Sequence, residues 1–346
     1  MKKYFSFFII LLLITSMTSL NAQTGDFSPK FFGYVKSFHQ SDLTDGQGQF
    51  SVVHARLGVR GNLNENVSYR IFTDYARLLG ASVVGTDSDG DGELNSARLN
   101  LRSILLDAFF NMKLTDRLSF SIGQYKIPFS TSNLRSPVEM EFVNRPLTTS
   151  VTPALRDVGL TVYYKNKEVL PIDAALGVFN GSGENVNENN KTMNYSARVV
   201  ASPINEIKIS GNYYGGKINN ADVNIFDIGV HAKFNNILFD GEFVSRKNDI
   251  PNVLEFTSTG YFVYTGYIFA TDFWVVNSIT PLVRYENFDP STNINDDQLT
   301  RFTAGINFGL ADKNFTGIRL NYENRDTKNP IFNSNDYFYA SFQVVF

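Results

Sequence analysis

From Lys30 to the last residue, apolar and polar positions alternate with a period of two in one run after another. Sixteen runs can be marked: 30–39, 50–60, 66–77, 101–112, 117–126, 156–165, 171–180, 192–201, 206–214, 223–234, 236–246, 258–269, 279–287, 299–310, 314–323 and 336–346. Successive side chains leave a strand on opposite faces, so this period predicts strands, whereas an amphipathic helix would repeat every three or four residues. The last run shows the pattern plainly. Phe338, Ala340, Phe342, Val344 and Phe346 share one face, and Tyr337, Tyr339, Ser341 and Gln343 share the other.

The connections alternate as well. Short ones read GNLNEN (61–66), KLTD (113–116), KNKEVL (165–170), SPINE (202–206), NN (235–236) and ADK (311–313). Longer ones fall between them, at 40–49, 78–100, 127–155, 181–191, 215–222, 247–257, 288–298 and 324–335. Runs of about ten alternating residues, joined by short turns on one side and long loops on the other, are the signature of a transmembrane β-barrel. The expected fold is therefore all-β: an antiparallel barrel of about sixteen strands, with short periplasmic turns and long extracellular loops. The last run must pair with the first, because hydrocarbon tolerates no open sheet edge. Phe346 then ends the closing strand on its lipid face, an ending that resembles the insertion signal of outer-membrane proteins. Between 258 and 287 no residue pattern marks the turn, and Trp274 is the candidate for an interfacial girdle.

Composition sharpens this picture. Aromatic residues make up 14% of the chain, with 31 Phe and 17 Tyr, as in barrels that ring both interfaces with aromatics. The start, MKKYFSFFIILLLITSMTSLNAQ, pairs Lys2 and Lys3 with an apolar stretch too short to span a bilayer and a cleavage pattern at Leu20–Ala22. Residues 1–22 are thus expected to be a signal peptide, and 23–346 a single barrel domain. Removing two lysines takes the formal charge from −3 to −5, which argues against a nucleic-acid partner. With no cysteine, disulfide and thiolate chemistry are excluded.

The polar faces of the runs carry the candidate chemistry. In FSVVHARLGVR (50–60), His54, Arg56 and Arg60 share a face opposite Val53, Ala55, Leu57 and Val59. A charge facing lipid at mid-membrane costs ~2–4 kcal/mol, so the charged face looks into the lumen. The same reasoning sends Arg70, Asp74, Asp107, Arg198, Lys208, His231, Lys233, Asp240, Glu242, Arg246, Arg284, Glu286, Arg301, Arg319 and Glu323 inward, with Lys36 as a further candidate. Basic groups prevail there although the whole chain is acidic. The longest loop, 127–155, is the candidate to fold inward and narrow the barrel, and Lys126, Arg135, Arg145 and Arg156 are its candidate anion-facing charges. Guanidinium and ammonium donors suit oxyanions.

Two other features bear on chemistry. DSDGDGEL (87–94) resembles the opening of a calcium loop through Asp87, Asp89 and Asp91, but its twelfth position is Arg98 rather than Glu. It reads chiefly as an exposed acidic loop, with weak divalent binding at Asp87, Asp89 and Asp91 as the alternative, and no cofactor is expected. His39, His54 and His231 have neither metal-site spacing nor a nucleophile motif around them, so no enzyme is expected.

The stretch GQYKIPFSTSNLRSPVEMEFVNRPL (123–147), followed by PALRDVGLTVYY (153–164), resembles the phosphate-selective porin O and porin P family. That family carries a Gly-Gln-aromatic-Lys-x-Pro-Phe stretch, a loop with an aromatic and an Arg, and an Arg-Asp strand start. FFGYVKSF and ARLGVRGNLNENVSYRI also resemble its first strands. The resemblance implies a water-filled, usually trimeric barrel in the outer membrane of a Gram-negative bacterium, with anion-attracting Arg and Lys in its lumen. It places Lys126, Arg145 and Arg156 at motif positions. The functional expectation is passive diffusion of small hydrophilic solutes, anions such as phosphate foremost. The alternatives are a general porin and a non-conducting scaffold or adhesin barrel. The expected partners are those solutes, outer-membrane lipid and two further copies of the chain.

Overall fold

The computed structural model of the chain describes residues 28–346 except 81, 87–95, 101–102, 169, 187–191, 220, 252–253 and 312–314. The signal-peptide expectation at 1–22 and the acidic positions Asp87, Asp89 and Asp91 lie outside the described residues.

Nineteen strands are described. The first nine are β1 (Lys30–Asp42), β2 (Gly48–Asn62), β3 (Val67–Asp74), β4 (Ser82–Thr86), β5 (Ser96–Asn100), β6 (Leu105–Lys113), β7 (Leu118–Lys126), β8 (Arg156–Asn166) and β9 (Ile172–Phe179). They are followed by β10 (Asn194–Ile204), β11 (Ile207–Ile218), β12 (Ala221–Phe234), β13 (Ile237–Ile250) and β14 (Leu254–Tyr267). The last five are β15 (Phe269–Phe273), β16 (Val276–Asp289), β17 (Leu299–Gly309), β18 (Gly317–Thr327) and β19 (Asp336–Val345). β4 and β5 form a separate hairpin in the loop after β3. β14 and β15 are one strand interrupted at Ile268, since both pair with β16. The remainder is a sixteen-strand antiparallel meander that closes on itself, each strand pairing with its neighbour and β19 with β1.

Closure satisfies every strand edge, as hydrocarbon requires. Tyr34 stands opposite Val345 in the closing ladder, and Phe346 and Gly33 exchange backbone hydrogen bonds of 3.0 Å in both directions. The expected alternation is present around the wall. In β19, Tyr337, Tyr339, Ser341 and Gln343 are buried toward the lumen, while Phe342 and Val344 are exposed outward. Leu160, Val162, Leu176, Phe226, Ile228 and Val263 likewise present the apolar outer surface.

All sixteen runs fall on barrel strands, but three loop expectations need correction. The expected loop at 215–222 is a tight turn, because β11 continues to Ile218 and β12 begins at Ala221. The one at 247–257 shrinks between Ile250 and Leu254, and the one at 40–49 to residues 43–47. At 215–222 the glycines and polar residues of the sequence break the apolar alternation, yet the ladder continues to Ile218 opposite Ala221, and both of those pack against the Ile127, Phe129 and Val151 cluster. The unmarked turn between 258 and 287 sits at Trp274–Val275, with Trp274 at φ 54° and fully displayed at the tip.

The loop 127–155 spans the gap from Lys126 to Arg156 as expected, and it folds into the barrel. Its apolar residues form the core. Ile127, Phe129 and Val151 pack with Tyr214, Ile225 and Val244. Phe142 packs with Phe262, Tyr264 and Leu282. Val138 joins Tyr34, Phe72 and Leu106, and Val143 joins Tyr337 and Tyr339. Each of these apolar clusters contains a residue of this one loop, so the interior of the barrel is organised by the loop rather than by the wall.

Candidate functional site

The loop is fixed at both ends by the strands it leaves and enters. Gly123 lies at φ 127°, and a Cβ there would sit 2.2 Å from the Ala108 carbonyl oxygen. Only glycine tolerates that position, which gives the motif glycine a backbone reason. Gln124 donates to the carbonyl of Leu106 at 3.0 Å and accepts from Asn185 N–H at 2.7 Å, tying in the loop after β9. Tyr125 donates to Thr161 Oγ1 at 2.8 Å. Lys126 donates to three carbonyls, those of Asn133, Leu134 and Arg135, at 3.1, 2.9 and 2.8 Å. Those carbonyls end the short helical turn Thr131–Leu134, where the helix dipole also favours a cation. Arg156, buried beside it in register, donates from Nε to Asp107 at 2.7 Å.

Across the lumen the wall holds the loop with charged side chains. Glu242 accepts from Ser130 Oγ at 2.9 Å, Ser132 N–H at 3.2 Å and Ser132 Oγ at 2.7 Å, with Thr148 Oγ1 at 3.3 Å. Arg135 pairs with Asp240 and, at 3.1 Å, with Glu141. Arg284 donates to the Asn144 carbonyl at 3.1 Å and stacks its guanidinium 4.3 Å from the Phe142 ring centre. Arg301 bridges to Glu286 at 2.5 Å and reaches the Arg145 carbonyl at 2.6 Å. Arg319 donates to the Val138 carbonyl at 2.7 Å, and Lys36 to that of Val143 at 3.1 Å. Arg145 itself donates to the carbonyls of Ser132 and Arg135.

Two of the cavities that remain among the described residues bring the loop and cationic wall residues together. The first, of about 560 Å³, is lined by Arg56, Arg60, Arg70, Lys126 and Arg156 with Asp107 and Glu139, over an aromatic floor of Phe32, Tyr34, Phe72 and Tyr125. Arg70 stacks on Phe32 and Phe72 at 4.8 and 4.9 Å, and Arg60 on Phe32 at 5.2 Å. Aromatic faces hold guanidinium groups extended without neutralising them, as at Arg60, whereas Arg70 also pairs through Nε with Asp107 at 3.1 Å. Here Arg56 is bound to Asp74 at 2.7 Å, with His54 3.0 Å from the same carboxylate. The second cavity, of about 470 Å³, is lined by Lys126, Arg135, Lys165, Arg198, Lys208 and His231, with Asp173 its one carboxylate. Lys126, Leu134 and Tyr163 border both.

The residues singled out from sequence therefore divide in two. Arg56, Arg60, Arg70, Lys126, Arg135, Arg156 and Arg198 line the cavities. Arg284, Arg301 and Arg319 point into the lumen but are buried beneath the loop as its anchors, and Arg145 holds the loop to itself. Sequence reasoning gave no special place to Glu242 as an anchor or to Lys165 as a cavity cation. The sequence does carry a signal for the inward fold. Ile127, Phe129, Val138, Met140, Phe142, Val143 and Val151 make 127–155 too apolar for a loop in water.

Comparison with known proteins agrees with this architecture. OmpT of Vibrio cholerae in its trimer form is similar at TM-score 0.62 and 12% identity, over 92% of this chain and 99% of that one. An anion-selective porin from Comamonas acidovorans gives the same four values. The outer-membrane channel DcaP of Acinetobacter baumannii reaches TM-score 0.58 at 12% identity, over 92% and 97%. At such identity these likenesses show the fold. A search of curated protein sequences finds no match. The sequence profile of the family described as phosphate-selective porin O and P matches residues 33–236. That stretch carries the positive-φ Gly123, the Lys126 clamp and the inward loop, and with it the chain belongs to the phosphate-selective porin O and P family, as an outer-membrane porin of the Gram-negative type.

Proposed function

We propose that this porin is a passive diffusion channel that favours small anions and works as a homotrimer, with residues 1–22 removed on export. The observation that carries the reading is the charge in the two cavities. Five cationic side chains face two carboxylates in the first, and five face one in the second. Several of these cations, Arg60, Lys165, Arg198 and Lys208 among them, have no carboxylate within ion-pair distance in the described residues. In a passage walled by protein, unpaired charges act through a lower effective dielectric than in bulk water. The acidic outer loops are screened within ~8–10 Å at ordinary salt. The lumenal excess thus outweighs the acidity of the chain as a whole. Glu139 stands in the first cavity and penalises multiply charged ions most, so phosphate is one permeant anion among several. The trimeric OmpT and the anion-selective Comamonas porin support the assembly and the selectivity by analogy of fold.

The test is the reversal potential of the purified channel in a planar bilayer under a KCl gradient. An anion-selective sign is expected. A potassium-selective sign would leave a general porin, and no conductance at all would leave a scaffold barrel.

A further inference from the structure

On the loop side of the barrel, β16 and β17 are joined by residues 290–298, and the sequence from the end of β16 reads DPSTNINDDQ over 289–298. Asp289 and Asp297 are 8% and 7% exposed, and Ser291 between them is 8% exposed. The Oδ1 atoms of both aspartates are buried with no hydrogen-bond partner. Asp289 accepts only a long hydrogen bond, 3.3 Å, from Gln298 Nε2 on its other oxygen. Among the described residues neither carboxylate has a cationic side chain within ion-pair distance, and Lys328 is taken by Asp296 at 2.9 Å. Burial and the neighbouring Asp289 carboxylate push the Asp297 carboxyl above its ordinary value. Two buried carboxylates beside each other, each with an orphaned oxygen, are unfavourable unless a positive charge sits between them.

The sequence supplies the rest of a coordination shell. Asp289, Ser291, Asn293, Asn295 and Asp297 bear side-chain oxygens at every second position, although Ile294 and Thr300 stand where a helix–loop–helix calcium loop has Gly and Glu, so any site here is of another type. We infer that residues 289–297 form a calcium site, with Asp289 Oδ1 and Asp297 Oδ1 as its anionic ligands and neutral oxygens of the loop and water completing the shell. Two carboxylates balance the charge of one divalent cation. Calcium suits an irregular loop better than magnesium does, because it accepts six to eight oxygens in flexible geometry. The site is also tied to its surroundings. Thr292 N–H donates to the Thr257 carbonyl at 2.9 Å, Asn329 Nδ2 to the Asp297 carbonyl at 3.3 Å, and Thr327 Oγ1 to the Gln298 carbonyl at 2.8 Å. A bound cation therefore stiffens the rim where the loop after β16 meets the start of β14, the end of β18 and the loop that follows it.

The experiment is calorimetric titration of the full-length barrel, refolded in detergent free of lipopolysaccharide, with calcium chloride. One saturable site per chain is expected, with a Kd on the order of 10⁻⁴ to 10⁻³ M. Asp297→Asn should abolish it, while changing Asp87, Asp89 and Asp91 to Asn should leave it in place. At calcium ten times the Kd, amide exchange across 290–298 should slow by about tenfold in the wild type. This readout stands if the Asp297 variant fails to fold. A wild-type chain that neither binds calcium saturably nor gains protection at 290–298 would overturn the site and leave the two carboxylates sharing a proton. Undiminished calcium uptake by a folded Asp297→Asn barrel would overturn it as well.

Discussion

Reversing Lys165 and Lys208 to glutamate tests the origin of selectivity most directly. Both side chains are exposed in the second cavity and neither makes an ion pair there, so the change alters the field without cutting a tether. The cavity goes from five cations and one carboxylate to three of each. For an ion passing roughly 8 Å away in water, Coulomb's law gives ~0.5 kcal/mol per unit charge, and a Debye length of ~10 Å at 0.1 M salt cuts that to ~0.2 kcal/mol. Two reversals move the local charge by four units, so an anion loses ~0.9 kcal/mol and a cation gains as much. The ratio of their permeabilities should then shift by ~1.8 kcal/mol, on the order of twentyfold toward cations. The assay is the reversal potential in a KCl gradient whose dilute side is about 0.1 M, where screening is incomplete. Heat-modifiable migration on a gel confirms folding. A folded double variant with the wild-type reversal potential would refute the reasoning, because the field of the second cavity would then have no hold on permeation. Arg145 and Arg156 are poor targets for the same test. Arg145 holds two loop carbonyls and Arg156 is buried against Asp107, so reversing either would damage the loop as well as the field.

Two further outcomes follow from the geometry. Glu242→Ala removes the acceptor shared by Ser130 and Ser132, and hydrogen bonds to a charged group contribute about 1.5–3 kcal/mol each. The loop should loosen while the wall stays paired, giving larger and noisier single-channel conductance. A trace indistinguishable from wild type would show that the apolar clusters alone hold the loop. Gly123→Ala forces a Cβ to 2.2 Å from the Ala108 carbonyl at a backbone angle costing on the order of 1–3 kcal/mol. The folded yield should fall markedly, and a yield equal to wild type would remove the backbone reason for the motif glycine.

The sixteen strands were legible in the sequence because lipid on one side and water on the other impose a period of two on every segment that crosses. The same contrast marked 127–155 as the one long gap between β7 and β8, and it set His54, Arg56 and Arg60 against Val53 and Leu57. Where the contrast ends, so does the legibility. β11 and β12 run on through stretches such as Gly215–Ile218, where glycines and a lysine break the alternation while the backbone ladder continues and Ile218 packs on the core built by the loop. The function of each charge was hidden for a different reason. Alternation says that Arg60, Arg284 and Arg319 all face inward, but not which of them meets water. Arg319 is fixed by a carbonyl 181 residues away in sequence and Arg284 by one 140 away, while Arg60 rests on an aromatic ring with no acid opposite. Facing is a local property of the strand. Being free to act on a passing ion depends on where the loop comes to lie, and that is decided by the packing of Ile127, Phe129, Phe142 and Val151 against strands far away in sequence.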